Sequence, residues 1–145
     1  MTHSRTVTVA VSGGFDPIHV GHIRHIRSAK SKGDFLIVFL QPDSWLMRKK
    51  GYVFMPYEER KEILESLRWV DMVVQVEDKG DTVVETLKKY KPDIFAKGGD
   101  RTPDNMPKEE IDVCAQEGIE IVYGAGGDKV QSSSWLVNKV KKDGK

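Results

Sequence analysis

Short apolar runs rich in Val, Ile and Phe recur at Val7 to Val11, Phe35 to Leu40, Met72 to Val76, Ile94 to Ala96 and Ile119 to Tyr123. Their length and β-branched content predict strands. Between them, apolar residues return at helical spacing over His19 to Lys32, Tyr57 to Leu67, Thr82 to Tyr90, Lys108 to Glu117 and Ser133 to about Val140. Strand and helix therefore alternate to the end. A parallel pair needs a crossover connection, so this order predicts an α/β fold of Rossmann-like, doubly wound type: a mainly parallel five-stranded sheet with helices on both faces. In such sheets ligands bind beyond the carboxyl ends of the strands, where the strand order reverses.

Composition narrows the picture without changing it. The 145 residues suit one domain, 1–145, with Lys139 to Lys145 as a basic, solvated tail. The 23 basic and 22 acidic residues leave a net charge of only +1, which argues against nucleic acid or membrane as a partner and makes any phosphate site a local feature. The single cysteine, Cys114, has no partner for an internal disulfide and reads as a small hydrophobe on a helix face. No apolar run has signal-peptide or membrane-spanning length, so the expected setting is soluble and cytoplasmic.

Chemistry enters at the end of the first predicted strand, Ser12-Gly13-Gly14-Phe15-Asp16-Pro17-Ile18-His19-Val20-Gly21-His22. Gly13 and Gly14 permit a tight turn and close approach of backbone to ligand, and the helix that follows offers N–H groups to an anion. The spacing fits neither G-x-G-x-x-G nor a G-x-x-x-x-G-K-[ST] loop, which lowers the weight of hydride and P-loop chemistry. On a helix His19 and His22 share a face with Ile23 and Ile26, so they head its buried stripe, where imidazole N–H groups can donate to a triphosphate. Gly21 leaves room for a nucleotide against that helix. The alternatives are histidines satisfied by backbone, or a zinc site; the second lacks further ligands. His25 is given no role.

The run Gly14-Phe15-Asp16-Pro17-Ile18-His19-Val20-Gly21-His22 resembles the G-x-F-D-x-x-H-x-G-H motif of the cytidylyltransferase-like nucleotidyltransferase superfamily. Met55-Pro56-Tyr57-Glu58-Glu59-Arg60-Lys61 resembles the P-x-E-x-R segment of glycerol-3-phosphate cytidylyltransferases. Lys91-Pro92-Asp93-Ile94-Phe95-Ala96-Lys97-Gly98-Gly99-Asp100 is similar to a stretch of heptose 1-phosphate adenylyltransferases. The resemblance implies transfer of CMP or AMP from CTP or ATP to a phosphorylated small molecule, a polyol or sugar phosphate, with Mg²⁺ accompanying the triphosphate and a homodimer as the common assembly. The two relatives differ in nucleotide, and CTP is placed slightly ahead.

The resemblance also implies residue roles. Arg48-Lys49-Lys50-Gly51 follows the second strand on a predicted mobile loop, and Lys50, with Lys49 second, is expected to neutralise the triphosphate; a solvated basic loop is the other reading. Arg60 heads the buried stripe of Ile63, Leu64 and Leu67, so it needs an anionic partner, either a phosphate or a structural carboxylate such as Asp16. Asp16 is also a candidate to hold the metal or orient a lysine. Gly98, Gly99 and Asp100 end the fourth strand, where the base or ribose can lie on backbone. Gln131-Ser132-Ser133-Ser134-Trp135 resembles the family's I-S-T-T motif, giving Ser132, Ser133 and Ser134 a place on the nucleotide, although serines at a helix start are ordinary N-caps. Gly126-Gly127-Asp128-Lys129 departs from the family, which often has an arginine there; Lys129 is a possible substitute. Trp45, Trp69 and Trp135 read as packing residues.

A phosphate monoester is already anionic, so the expected reaction is direct in-line attack with no side-chain nucleophile, and His19, His22, Lys50 and Arg60 are the expected catalytic set. Two rivals stand beside it. A class I aminoacyl-tRNA synthetase fragment would need a K-M-S-K-S loop that is missing here, and a non-catalytic nucleotide-binding regulator would keep the fold without the chemistry.

Overall fold

The computed structural model describes residues 5–98, 101–126 and 136–140. Five strands, β1 (Thr8–Gly13), β2 (Phe35–Leu40), β3 (Met72–Gln75), β4 (Ile94–Gly98) and β5 (Glu120–Ala125), form one sheet in the order β3-β2-β1-β4-β5. Every pairing is parallel. The chain winds outward from β1 to β3 on one side and from β4 to β5 on the other, so the order reverses between β1 and β4. That is the crevice where an open α/β sheet binds its ligand.

Alternation along the strands builds two cores, because successive side chains point to opposite faces. Val9, Val11, Leu36, Val38 and Leu40 pack beneath α1 (Val20–Lys30) and α3 (Tyr57–Glu65) through Ile26, Ala29 and Leu64. Ala10, Ile37, Phe39 and Phe95 face α4 (Val84–Tyr90) and α5 (Lys108–Glu117), meeting Leu87, Val113 and Cys114. Burial and the neighbouring Glu110 carboxylate push the Cys114 thiol up to about 11, so it stays protonated and behaves as the small hydrophobe its sequence context predicts.

Two expectations need correction. The basic run Arg48-Lys49-Lys50 does not lie on a mobile loop: it forms the last turn of α2 (Asp43–Lys50), which ends at Gly51 in the left-handed conformation, φ 80°. The three cations suit the negative end of the helix dipole there. The first helix begins one residue later than predicted, with His19 as an extended N-cap outside it. No helix among the described residues is long and apolar enough to cross a membrane.

Candidate functional site

The carboxyl end of β1 runs into a short segment that the rest of the fold holds in place. Gly14 sits where α2 crosses: a Cβ on it would stand 2.8 Å from Leu46 and 3.3 Å from the Trp45 ring. Close helix packing therefore requires this glycine, not only approach to a ligand. A Cβ on Gly13 would meet the Phe15 ring at 3.2 Å. Phe15 is buried and held at φ 50°, a left-handed conformation that costs energy for a bulky residue and persists because its surroundings fix it.

Asp16 is fully buried, and its two carboxylate oxygens accept from the backbone N–H groups of Phe54 and Met55, each at 2.6 Å. It fastens the loop between α2 and α3 to the β1 end. The expectation that Asp16 holds a metal is not met in this geometry, and no group of three or more His, Cys, Asp or Glu among the described residues could cage one. These residues do not fit a protein-held metal ion.

Arg60 is likewise a brace. Its guanidinium donates to the carbonyls of Met55 (2.9 Å), Gly14 (2.9 Å) and Gln41 (2.7 Å) and pairs with the Asp43 carboxylate at 2.6 Å. Sequence reasoning found a buried arginine in need of partners but expected a phosphate. The partners are three carbonyls and a carboxylate other than Asp16, and together they lock the ends of β1 and β2 to α2 and α3.

Inside this frame the two histidines form a reciprocal cap. Nδ1 of His19 accepts from the Gly21 N–H at 3.0 Å, and Nδ1 of His22 accepts from the His19 N–H at 3.1 Å. This is a capping box built from imidazoles instead of Ser and Glu. The spacing of H-x-G-H is thus the spacing of N-cap and N3, and the rings stack with centroids 3.9 Å apart. Because each Nδ1 is an acceptor, the proton of each neutral ring belongs on Nε2, at the far edge of the ring from the backbone it caps. Backbone satisfaction and anion binding, alternatives on the sequence alone, do not exclude each other here: Nδ1 serves the backbone, and an anion would be met by Nε2.

His22 also touches the Phe15 ring, with centroids 4.8 Å apart. Burial first, and after it electrostatic interaction with His19, His25 and Lys50, push its imidazolium down to about 3. At neutral pH it is an uncharged donor. Lys50 is half-buried; burial lowers its ammonium below the usual range, partly offset by Asp16. It makes no ion pair among the described residues. Lys49 points elsewhere and pairs with Asp81 at 3.5 Å. His25, given no role from sequence, ties α1 to β5 through Nδ1 and the Ala125 carbonyl at 3.1 Å.

Gly21 supplies the N–H that His19 caps, and Gly98 ends β4 at the same rim. Gly99, Asp100, Lys129, Ser132, Ser133, Ser134 and Trp135 lie outside the described residues. Sequence reasoning missed Glu110 and the cavity-lining roles of Trp45 and Lys97, which come together beside the β1 end. A signal for Glu110 existed: with Val113 and Cys114 it forms the buried stripe of α5, so a carboxylate heads that stripe as Arg60 heads its own.

A parallel α/β sheet with an imidazole-capped helix at its reversal point defines a nucleotidyltransferase-like protein. The chain matches the cytidylyltransferase-like family model over residues 10–138 and belongs to that family. It is 41% identical over 102 residues to an FAD synthase of Pyrococcus abyssi, covering 70% of this chain and 68% of that protein. It is 45% identical over 138 residues to the bifunctional protein HldE of Sulfurimonas denitrificans, covering 93% of this chain but only 27% of HldE. Among solved structures, the lipopolysaccharide core biosynthesis protein of Thermoplasma volcanium superposes with a TM-score of 0.70 at 28% identity, over 86% of this chain and all of that one.

Proposed function

We propose that this protein transfers a nucleoside monophosphate from a nucleoside triphosphate, ATP before CTP, to the phosphate of a small phosphorylated acceptor. A phosphate oxygen of the acceptor attacks the α-phosphorus. The bond from that phosphorus to the bridging oxygen breaks, and the bridging oxygen leaves with its electron pair as part of pyrophosphate. No proton need move and no covalent enzyme intermediate forms.

The observation that carries this reading is the histidine pair. Two imidazoles with their Nδ1 atoms committed to backbone present Nε2–H donors from a fixed frame beside the N-terminus of α1. Fixed donors aimed where charge develops need no reorganisation during reaction, which is how such sites lower barriers. Lys50 adds a cation that no carboxylate among the described residues quenches by direct pairing. Mg²⁺ is proposed to arrive on the triphosphate, since the described residues offer no cage of their own.

The nucleotide preference rests on two supports. FAD contains an adenylyl group, so the name of the FAD synthase relative points to ATP, and the Lys97-Gly98-Gly99-Asp100 run resembles adenylyltransferases. Both outweigh the Met55 to Lys61 segment that leaned towards CTP.

The test is pyrophosphate release with Mg²⁺, offering ATP, CTP, UTP and GTP separately against glycerol 3-phosphate, ribitol 5-phosphate, phosphoethanolamine, phosphocholine, heptose 1-phosphate and FMN. Acceptor-dependent release with ATP is expected. Tight nucleotide binding with no release from any pair would replace the enzyme by a nucleotide-binding regulator of the same fold.

A further inference from the structure

Helix α1, which carries the histidine pair, packs against β1 and against β5, on opposite sides of β4, and so spans the crevice between β1 and β4. Its start is fixed on the β1 side by the reciprocal cap and by the contact of His22 with Phe15. One turn further on, a second anchor joins it to β5. Nδ1 of His25 donates to the Ala125 carbonyl at 3.1 Å. A carbonyl can only accept, so this Nδ1 carries a proton, the opposite of the arrangement in His19 and His22. The stretch from His19 to His25 thus holds imidazoles of two tautomers, each set by a backbone partner.

Ala125 is the last residue of β5 and stands in register with Gly98, the last of β4, so this bond reaches the far wall of the crevice. β5 is an edge strand with β4 as its one neighbour, and their register shifts between Ala96 and Gly98. The ladder is therefore interrupted where it arrives at the rim, and α1 supplies a hold that the sheet does not. The chain then comes closer still. Gly126 has φ 92°, and a Cβ on it would stand 2.8 Å from the backbone nitrogen of His25 and 2.9 Å from its Cα. Backbone meets backbone at His25, an approach and a conformation that glycine permits.

We infer that His25 is a positioning residue: through Ala125 and Gly126 it sets the distance between the His19 and His22 pair and the β4 wall of the crevice, and so aims the pair at a bound triphosphate. The inference rests on the transferase reading. His22 and His25 are three residues apart, about 4.5 Å along the helix axis, so a shift of α1 at His25 is carried to His22 with little loss. A misplacement of about 1 Å can cost on the order of 10²-fold in rate, because the donors no longer meet the place where charge develops. The capping box alone fixes the two rings to their own helix. The bond from His25 fixes that helix to the other side of the site.

Three variants of the full chain test it. His25→Leu occupies the position without a donor, and Gly126→Ala pushes the end of β5 off α1 while leaving His25 in place. His25→Asn keeps a donor, because the asparagine Nδ2 is as many bonds from the backbone as the imidazole Nδ1. In pyrophosphate release with ATP, Mg²⁺ and the acceptor that supports turnover, His25→Leu and Gly126→Ala should lower kcat roughly tenfold or more. KM for ATP should change much less, since aim matters most in the transition state, and His25→Asn should restore most of kcat. A role in stability alone would lower Tm and leave kcat of the folded enzyme where it was. If His25→Leu does not fold by circular dichroism, Gly126→Ala carries the test. The second readout is the ¹⁵N–¹H spectrum of the imidazole rings. His25 should show the Nδ1-protonated pattern, and α,β-methylene ATP should move the His22 ring signals in wild type and His25→Asn but less in His25→Leu and Gly126→Ala. Near-normal kcat in the folded variants, or His25→Asn no better than His25→Leu, overturns the inference and leaves the transferase reading standing. If wild type releases no pyrophosphate from any pair, the transferase reading falls and the spectrum decides: His22 signals that ignore the analogue in wild type, or follow it equally in every variant, overturn the positioning role as well.

Discussion

Where the strands begin, carboxylates close every gap they face: Asp34, Asp93 and Asp71 each accept from a backbone N–H, of Val7, Thr8 and Leu36 respectively, at 2.8 Å. Arg5 and Lys30 then complete Asp93 and Asp71. Where the strands end, the rim divides. Asp16 and Arg60 are saturated and form a frame, while His22 presents its Nε2 edge and, among the described residues, Lys50 has no carboxylate at pairing distance. Polar groups saturated by the chain itself stabilise the fold, and polar groups held in place but unsatisfied are available to a ligand. The same residue types serve both ends; what differs is whether the chain supplies their partners.

Breaking the frame should have the largest effect. Arg60→Met leaves the carbonyls of Gly14, Gln41 and Met55 without their shared donor and Asp43 without its cation. Urea unfolding should show a loss on the order of 3 kcal/mol or more, since removing one member of a buried charged network strands the rest. A fully stable Arg60→Met protein with weakened triphosphate binding would restore the phosphate role expected from sequence.

His22→Ala acts on the open part of the rim. Removing one fixed donor to developing charge typically costs about 10²–10³ in kcat, with a smaller change in KM because the donor matters most in the transition state. The variant also loses one cap bond, worth roughly 1 kcal/mol, so its Tm is measured alongside. Near-normal kcat in a folded variant would remove His22 from the chemistry.

The acid response of the wild type separates the same histidine from the rest. Its folded value of about 3 lies below the ordinary 6.5, so between those values the unfolded chain binds the extra proton. The stability this neutral imidazole contributes is complete above pH 6.5 and is lost as pH falls from 6.5 towards 3. Tm measured at intervals through that window should fall more steeply in wild type than in His22→Ala. Parallel slopes would mean that the imidazole is not buried in solution.

Much of this organisation was legible in the sequence. Strand-helix alternation predicted the parallel sheet because buried strands declare themselves as unbroken apolar runs such as Phe35 to Leu40. The H-x-G-H spacing placed the histidines together, but histidine is not an ordinary N-cap, so their reciprocal hydrogen bonds could not be read from residue preference. Helix α2 escaped because only Leu46 of its eight residues is buried, which leaves no periodic stripe to detect. Arg60 announced a buried cation without announcing its partners, since these come from three other segments of the chain. Glu110 could have been read by the same reasoning, as a charge at the head of a buried stripe, but its place beside Lys97 exists only once β4 and α5 are assembled.

The smallest expected effect is at the closed rim, and it completes the comparison. Burial alone would raise the Asp71 carboxyl, but the hydrogen bond from Lys30 and the Leu36 N–H outweigh it and hold it below the ordinary 3.8. Its contribution to stability is therefore present above pH 3.8 and lost as pH falls through the depressed folded value, a window below most of that of His22. The side chains of both partners keep some exposure, 26% for Lys30 and 31% for Asp71, so solvent screens the pair. Asp71→Asn should cost about 1 kcal/mol near neutral pH, a Tm shift of roughly 3 °C for a chain of this size. The difference from wild type should vanish at strongly acid pH, where the wild-type carboxyl is protonated too. Because Asp71 stands at the opposite end of the sheet from the histidines, kcat and KM should not move; a change in either would mean that the two rims are coupled through β2 and that the closed end tunes the open one.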